Sequence, residues 1–199
     1  MLDHGLNGDG KGRGLLHFSV GNIKLDSSGI QPRGIGPTDI IKLLIAHGAD
    51  VNFKVNTYVN GKTGEGVTAL MQAAGSNQIG TVQLLLADGA DIQATDPDGA
   101  TALIYAVESS NAIPLLKLLI SCGLNVNVQP KHGENALQRA ADIGHFENVK
   151  FLLAHGAHIN AKDDSGKTAL KYARAGLAAS HNDSYVKIIA LLNAAGAKN

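Results

Sequence analysis

Apolar positions in this chain recur in pairs of short runs at helical spacing, with polar, glycine-containing turns between them. The second run of each pair is rich in leucine: Leu84-Leu85-Leu86, Leu118-Leu119-Ile120 and Phe151-Leu152-Leu153. The first runs open on Thr68-Ala69-Leu70, Thr101-Ala102-Leu103, Asn135-Ala136-Leu137 and Thr168-Ala169-Leu170, with a worn version at Gly14-Leu15-Leu16-His17. Thr or Asn before a helix former suits a helix start, because its side-chain oxygen accepts an orphan N–H of the first turn. Each pair therefore predicts a helix, a turn and a second helix.

A glycine closes every pair. The five closings are Gly48-Ala49-Asp50-Val51-Asn52, Gly89-Ala90-Asp91-Ile92-Gln93, Gly123-Leu124-Asn125-Val126-Asn127, Gly156-Ala157-His158-Ile159-Asn160 and Gly196-Ala197. They are spaced by 41, 34, 33 and 40 residues, a basal period near 33 with insertions at both ends. A period of that size predicts a stacked-repeat solenoid. On these residues the chain resembles the ankyrin-repeat family, whose unit carries a T-P-L-H-x-A start and a G-A-D-x-N end. Residues 135–160 match that unit almost position for position, and the resemblance extends over most of the chain. It implies an all-α solenoid of about five helix-turn-helix units in one domain, residues 1–199, with repeats near 10–52, 60–93, 94–127, 128–160 and 161–199.

The chain also departs from the pattern. Ala replaces the family's Pro in four copies, a change the first helical turn accepts because Ala has the highest helix propensity. The family's His remains only as His17; Met71, Ile104, Gln138 and Lys171 take its place elsewhere, which predicts the loss of some helix-to-hairpin hydrogen bonds. Phrases such as Thr68-Ala69-Leu70-Met71-Gln72-Ala73-Ala74 look like bacterial members of the family.

Composition narrows the function. Lys plus Arg equals Asp plus Glu at 17 each, so there is no general basic surface for phosphates, and nucleic acid is not the expected partner. Nothing resembles a membrane span, and the glycine-rich first residues carry no secretory signal, so cytoplasm is the expected compartment, a mature secreted or periplasmic form staying open. Cys122, the single cysteine, sits before a closing glycine and reads as a buried structural thiol. Leu2-Asp3-His4-Gly5-Leu6-Asn7 reads like the last turn of a preceding repeat: either the chain is cut from a longer array or this is a vestigial cap.

Most of the eight histidines fall at repeat-equivalent positions, the mark of scaffold: His47 and His155 before closing glycines, His145 between helices, His17 in the helix-start motif. His132, His158 and His181 lack partners at ligand spacing, so no metal is expected. Gly8-Asp9-Gly10-Lys11-Gly12 lacks the strand and helix of a phosphate cradle, and no nucleophile or dinucleotide motif occurs. No enzyme activity and no cofactor are expected.

The resemblance places protein recognition on a concave face built from hairpin tips and first helices. Two residues after each helix-start Leu the chain sets Phe18, Gln72, Tyr105, Arg139 and Tyr172, which stacking should align as a ladder. Tyr and Arg are common among interface residues whose loss costs most, although the same position can serve packing between repeats. Between the first two repeats lies an insertion, residues 51–67, with its hairpin over 53–67, in which Val51, Phe53, Val55, Thr57 and Val59 alternate with polar residues and Tyr58, running into Asn60-Gly61. That pattern predicts an extended β-hairpin finger, with Phe53, Val55, Tyr58 and Val59 partly exposed unless covered. The alternative is a loop folded back over the first repeat. Two inter-helix insertions, 21–37 and 176–183, are rich in Gly, Ser and Asn and read as loops, with Thr38-Asp39 restarting a helix.

The candidate partner-binding residues are thus Phe53, Tyr58 and Lys62 on the finger, Tyr105, Arg139 and Tyr172 on the ladder, and Asp98, His132 and Lys167 at the tips. The expected function is binding of a protein partner by a monomer, in the first version an inhibitor or immunity-type protein that blocks an enzyme or toxin. The alternative is a regulatory or spacer segment of a larger protein or a secreted effector.

Overall fold

The anticipated helix starts are N-caps in the computed structural model, which describes residues 20, 37–59, 62–131 and 134–198, residues 37, 56–59 and 62–65 through their backbone alone. Thr68 Oγ1 accepts from the Met71 N–H at 3.3 Å and Thr168 Oγ1 from the Lys171 N–H at 3.4 Å. Asn135 forms a capping box. Its Oδ1 accepts from the Gln138 N–H at 2.9 Å, and Gln138 Oε1 accepts from the Asn135 N–H at 2.9 Å. Thr101 shares the extended backbone but makes no such bond.

Among the described residues the order is α1 (Pro37–Ala46), β1 (Val55–Val59), β2 (Lys62–Val67), α2 (Ala69–Gly75), α3 (Ile79–Ala87), α4 (Ala102–Ala106), α5 (Ile113–Ser121), α6 (Ala136–Asp142), α7 (Phe146–Ala154), α8 (Ala169–Ser180) and α9 (Asp183–Ala194). The inner helices α2, α4, α6 and α8 alternate with the outer helices α1, α3, α5, α7 and α9. All five closing glycines, 48, 89, 123, 156 and 196, have φ between +84° and +94°, a region that only glycine enters without strain, so each ends its outer helix and turns the chain to the next hairpin.

Repetition of side chains becomes repetition of contacts. Leu70, Leu103, Leu137 and Leu170 form one buried column, Leu85, Leu119, Leu152 and Leu192 another. Between them Ala73, Ala106, Ala140 and Ala173 are fully buried, and their small size lets successive inner helices approach closely. Burying such side chains against the neighbouring repeat is what holds a solenoid together. A polar seam reinforces it along the hairpins. Asn127 Nδ2 donates to Gly156 O at 3.0 Å and its Oδ1 accepts from the His158 N–H at 2.7 Å. Asn52 makes the same pair with Gly89 O and the Asp91 N–H, and Asn160 with Gly196 O and the Lys198 N–H. Gln93 keeps only the first bond, to Gly123 O at 3.0 Å.

Residues 55–67 form the predicted hairpin. β1 pairs antiparallel with β2 in the register Val59↔Lys62, Tyr58↔Thr63, Thr57↔Gly64 and Val55↔Val67. The register shift before Val67 marks a bulge beside Gly66, at φ +61°. Asn60 and Gly61 lie outside the described residues.

Several expectations are corrected. Residues 176–183 are not a loop: α8 continues to Ser180, where His181 at φ +53° stops it and Asn182 caps α9 by accepting from the Ser184 N–H at 2.9 Å. The added residues include Leu177, which packs against the core, and Ala178-Ala179, so lengthening the helix buries more than a loop would. Cys122 is exposed, because the C-cap of α5 points its side chain to solvent. The helix-to-hairpin tie survives at Gln138, whose Nε2 donates to Ala161 O and Lys167 O at 3.1 and 2.8 Å. Helix α1 takes in Pro37 and Thr38 rather than starting after them. The expected loop over 21–36 and the residues Phe18, His17 and His132 lie outside the described residues.

Candidate protein-recognition face

Each inner helix is short and starts at a fixed point after its hairpin, so the fourth residue beyond each N-cap returns to the same place on the face. In the last three repeats these are Tyr105, Arg139 and Tyr172, all half-buried. Gln72, their counterpart in α2, is only 6% exposed and is withdrawn from the surface.

The two tyrosines share one arrangement. Tyr105 Oη donates to Asp96 Oδ2 at 2.8 Å, and Tyr172 Oη to Asp163 Oδ2 at 2.6 Å. The other oxygen of each carboxylate closes the preceding turn: Asp96 Oδ1 accepts from the N–H groups of Asp98 and Ala100, Asp163 Oδ1 from those of Ser165 and Lys167. Burial, then the bond to Asp96, push the Tyr105 hydroxyl well above its ordinary pKa, and burial and Asp163 do the same for Tyr172. Desolvation would raise Asp163, but the Tyr172 hydroxyl and the two backbone donors outweigh it and hold the carboxyl below its ordinary value.

The repeat between them differs at both positions. Pro130 stands where its neighbours have the turn Asp, seven residues after the closing glycine, and Arg139 stands in place of Tyr. Arg139 instead turns to carboxylates: Nη2 and Nε donate to Glu108 Oε1 at 2.8 and 3.1 Å, and Nη1 lies 3.7 Å from both Glu134 Oε2 and Asp142 Oδ2. Burial works against this cation, but Glu108, then Glu134 and Asp142, outweigh it and hold it charged. Three carboxylates around one guanidinium leave the centre of the face acidic. Lys167, Lys171 and Arg174 make its far end basic, with Lys167 Nζ 5.1 Å from the centroid of the Tyr172 ring.

The remaining candidates divide. Asp98 is exposed at a hairpin tip, where its carbonyl accepts from the Lys131 N–H at 2.7 Å and joins neighbouring hairpins. Phe53 and Val55 are half-buried at the base of the finger, and the Phe53 N–H donates to Asp50 O at 3.2 Å. Tyr58 and Lys62 lie within β1 and β2, and their side chains fall outside the described residues. The finger's base is tied to the next hairpin: Lys54 Nζ donates to Thr95 O at 2.7 Å, and Gly66 runs so close to Pro97 that a Cβ there would sit 3.0 Å from its Cδ.

Sequence reading missed the carboxylate partners of the ladder. The signal was present in the turn spacing, since Asp96-Pro97-Asp98-Gly99 and Asp163-Asp164-Ser165-Gly166 repeat an Asp-closed turn that the intervening repeat lacks. His47 and His155 behave as scaffold, each Nδ1 lying 2.8 Å from a carbonyl one helical turn back. Among the described residues no group of three His, Cys, Asp or Glu is placed to hold a metal ion, and no helix is long and apolar enough to cross a membrane.

A family model described as "Ankyrin repeats (3 copies)" matches residues 33–130 and 103–198. The chain belongs to the ankyrin-repeat family. Ankyrin repeats mediate protein–protein interaction, and the family is generally non-enzymatic. Ankyrin repeat and SOCS box protein 6 of Homo sapiens is 34% identical over 143 residues, covering 67% of this chain and 32% of that protein. The B-cell lymphoma 3 protein homolog of Mus musculus is 37% identical over 130 residues, 65% of this chain and 28% of its own length. An L-asparaginase of Dirofilaria immitis is 33% identical over 138 residues, 69% of this chain but 22% of that protein. The chain therefore spans a third or less of the length of these relatives. All three are animal proteins, and they lend no support to a bacterial origin.

Proposed function

We propose that this ankyrin domain is a protein-recognition module that holds its partner against the face formed by the hairpins and inner helices, with the β1–β2 finger as the main contact, and that binding blocks the partner's activity. The observation that carries this reading is the finger. Its paired strands of five and six residues reach roughly 17–20 Å at the usual strand rise, whereas the other described repeat connections hold no strand. Its base is held by Lys54 and Pro97, which lowers the ordering cost of placing it in a partner's cleft. The ladder supports the same reading differently: its side chains are locked by their own carboxylates and offer a rigid, charge-patterned platform.

Affinity capture with the intact domain, beside a variant in which residues 56–65 are replaced by a two-residue turn, tests this. A protein retained by the intact chain and lost with the finger supports it, and that protein's own activity, assayed with and without the domain, shows whether binding inhibits. Unchanged capture by the shortened variant, or by Phe53→Ala combined with Tyr58→Ala, would sink the finger's role.

A second reading is favoured by the relatives' lengths: the domain serves as an interaction segment of a larger protein. An open reading frame continuing upstream of Met1 would decide for it.

A further inference from the structure

Two repeats carry the same tyrosine–carboxylate pair, yet among the described residues only one of the rings has a cation over it. Tyr172 donates to Asp163, and Lys167 Nζ stands 5.1 Å from the centroid of the Tyr172 ring. Tyr105 donates to Asp96 in the same way, but the residue equivalent to Lys167, five before the tyrosine, is Ala100. No described lysine or arginine stands over the Tyr105 ring.

The charge around the two rings differs in the same sense. The turn before Tyr172 has Ser165 and Lys167 where the turn before Tyr105 has Asp98 and Ala100. The earlier turn therefore gains a carboxylate and loses an ammonium. Burial, then Asp96, Glu108 and Asp98, push the Tyr105 hydroxyl above its ordinary pKa, so all three carboxylates act at this ring. Arg139 gives its guanidinium to Glu108, and Lys54 gives its ammonium to Thr95 O. Lys131, on the next hairpin, is exposed and makes no ion pair with these acids.

The site adjoins the finger. Pro97, between Asp96 and Asp98, packs against Gly66 of β2, so a partner held by the finger lies beside this turn. The inference rests on the reading of the hairpin and inner-helix face as the surface that holds a protein partner. We propose that the Tyr105 ring, flanked by Asp96, Asp98 and Glu108, receives a lysine side chain of that partner, which supplies from outside the cation that Lys167 supplies to Tyr172 from within. A ring face attracts an ammonium through its quadrupole, and carboxylates at its rim add direct charge attraction. The bond to Asp96 fixes the ring beforehand, which lowers the ordering cost of the contact.

The probe is the peptide acetyl-Gly-Gly-Lys-Gly-Gly-amide, titrated at low salt into the intact isotope-labelled chain and followed by its amide NMR spectrum, with the norleucine peptide as control. The lysine peptide should give saturable shifts at the amides of Asp98, Gly99 and Tyr105, and the norleucine peptide none. Tyr105→Leu should weaken binding about two- to fivefold, the worth of a cation–π contact at a partly exposed site, whereas Tyr105→Phe keeps the ring and should keep the affinity. Ala100→Lys reproduces the arrangement of the last repeat and should block the probe by filling the site from within; it also serves as the second variant if Tyr105→Leu fails to fold. The absence of a lysine-dependent shift at Tyr105 overturns the inference. Equal binding by wild type and Ala100→Lys, or by wild type and a folded Tyr105→Leu, overturns it too, because the carboxylates alone would then attract the probe. These titrations need neither the finger nor a captured partner, so their failure leaves the proposed function standing. Capture of a protein that is lost with the finger but unchanged in Ala100→Lys would likewise overturn the lysine contact and keep the finger's role.

Discussion

The Tyr105 hydroxyl donates to Asp96, nine residues before it, and Asp96 at the same time closes the turn that precedes the helix carrying Tyr105. One carboxylate thus joins hairpin to inner helix, and Tyr172 with Asp163 repeats the device. Where Pro130 removes the carboxylate, the tyrosine is gone as well, and Arg139 finds acids in the preceding repeat, just before its own helix and one turn along it. Tyr105→Phe should therefore cost about 1 kcal/mol, the net worth of a typical hydrogen bond. Asp96→Ala should cost more, since it removes the acceptor of three donors. Urea unfolding with an unchanged m-value would measure both.

The Tyr172–Asp163 pair predicts a dependence on pH. Asp163 is held below its ordinary pKa, so its contribution is present above the unfolded value near 4 and is lost as pH falls through the lower folded value. The advantage of wild type over Tyr172→Phe, about 1 kcal/mol at neutral pH for a partly exposed pair, should shrink below roughly pH 4. The tyrosine has the opposite sign: its raised pKa gives stability present below about pH 10 and lost as pH rises through the folded value. Equilibrium unfolding of both proteins across this range checks it, and an advantage that is flat in acid would refute the charged hydrogen bond.

Gly176 lies inside α8, where glycine ordinarily weakens a helix, and the Tyr185 ring explains its presence. A Cβ at Gly176 would fall on the ring's Cε1, and one at Gly144 would sit 2.9 Å from its Cζ, while the Tyr185 hydroxyl is anchored on Asp142 O at 2.7 Å. Gly176→Ala should thus destabilise by about 1–3 kcal/mol through overpacking, despite its better helix propensity. Combining it with Tyr185→Leu should recover part of the loss in a double-mutant cycle.

Asn127 clamps two backbone groups of the next repeat, whereas Gln93 clamps one. Asn127→Ala is expected to cost about 1–2 kcal/mol and to raise amide exchange at His158. An unchanged exchange rate at that amide would show that the seam is ornamental.

As a check on register, Leu103→Ala and Leu137→Ala should each cost about 2–5 kcal/mol, because both side chains are buried in the column that joins inner helices. A loss below about 0.5 kcal/mol, the scale of surface changes, would refute the repeat register.

Local chemistry was legible before any coordinates. The Thr and Asn caps, the closing glycines and the alternation around Val55 and Val59 are short-range signals, and the helices, turns and hairpin follow them. The segment 176–183 misled, because its Gly, Ser and Asn suggested a loop while Leu177 and Tyr185 offered a surface worth reaching by extending the helix. Cys122 misled for a related reason: its position beside a closing glycine was visible, but the direction of its side chain was not.

What the amino-acid sequence determined by itself was therefore the repeat: its period, its helix ends and its place in the ankyrin family, all encoded within a few residues of where they act. Tertiary structure alone decided how the repeats share their groups. Arg139 and Glu108 are 31 residues apart and Asn148 and Val107 are 41, and these pairs exist only because stacking superposes one repeat on the next.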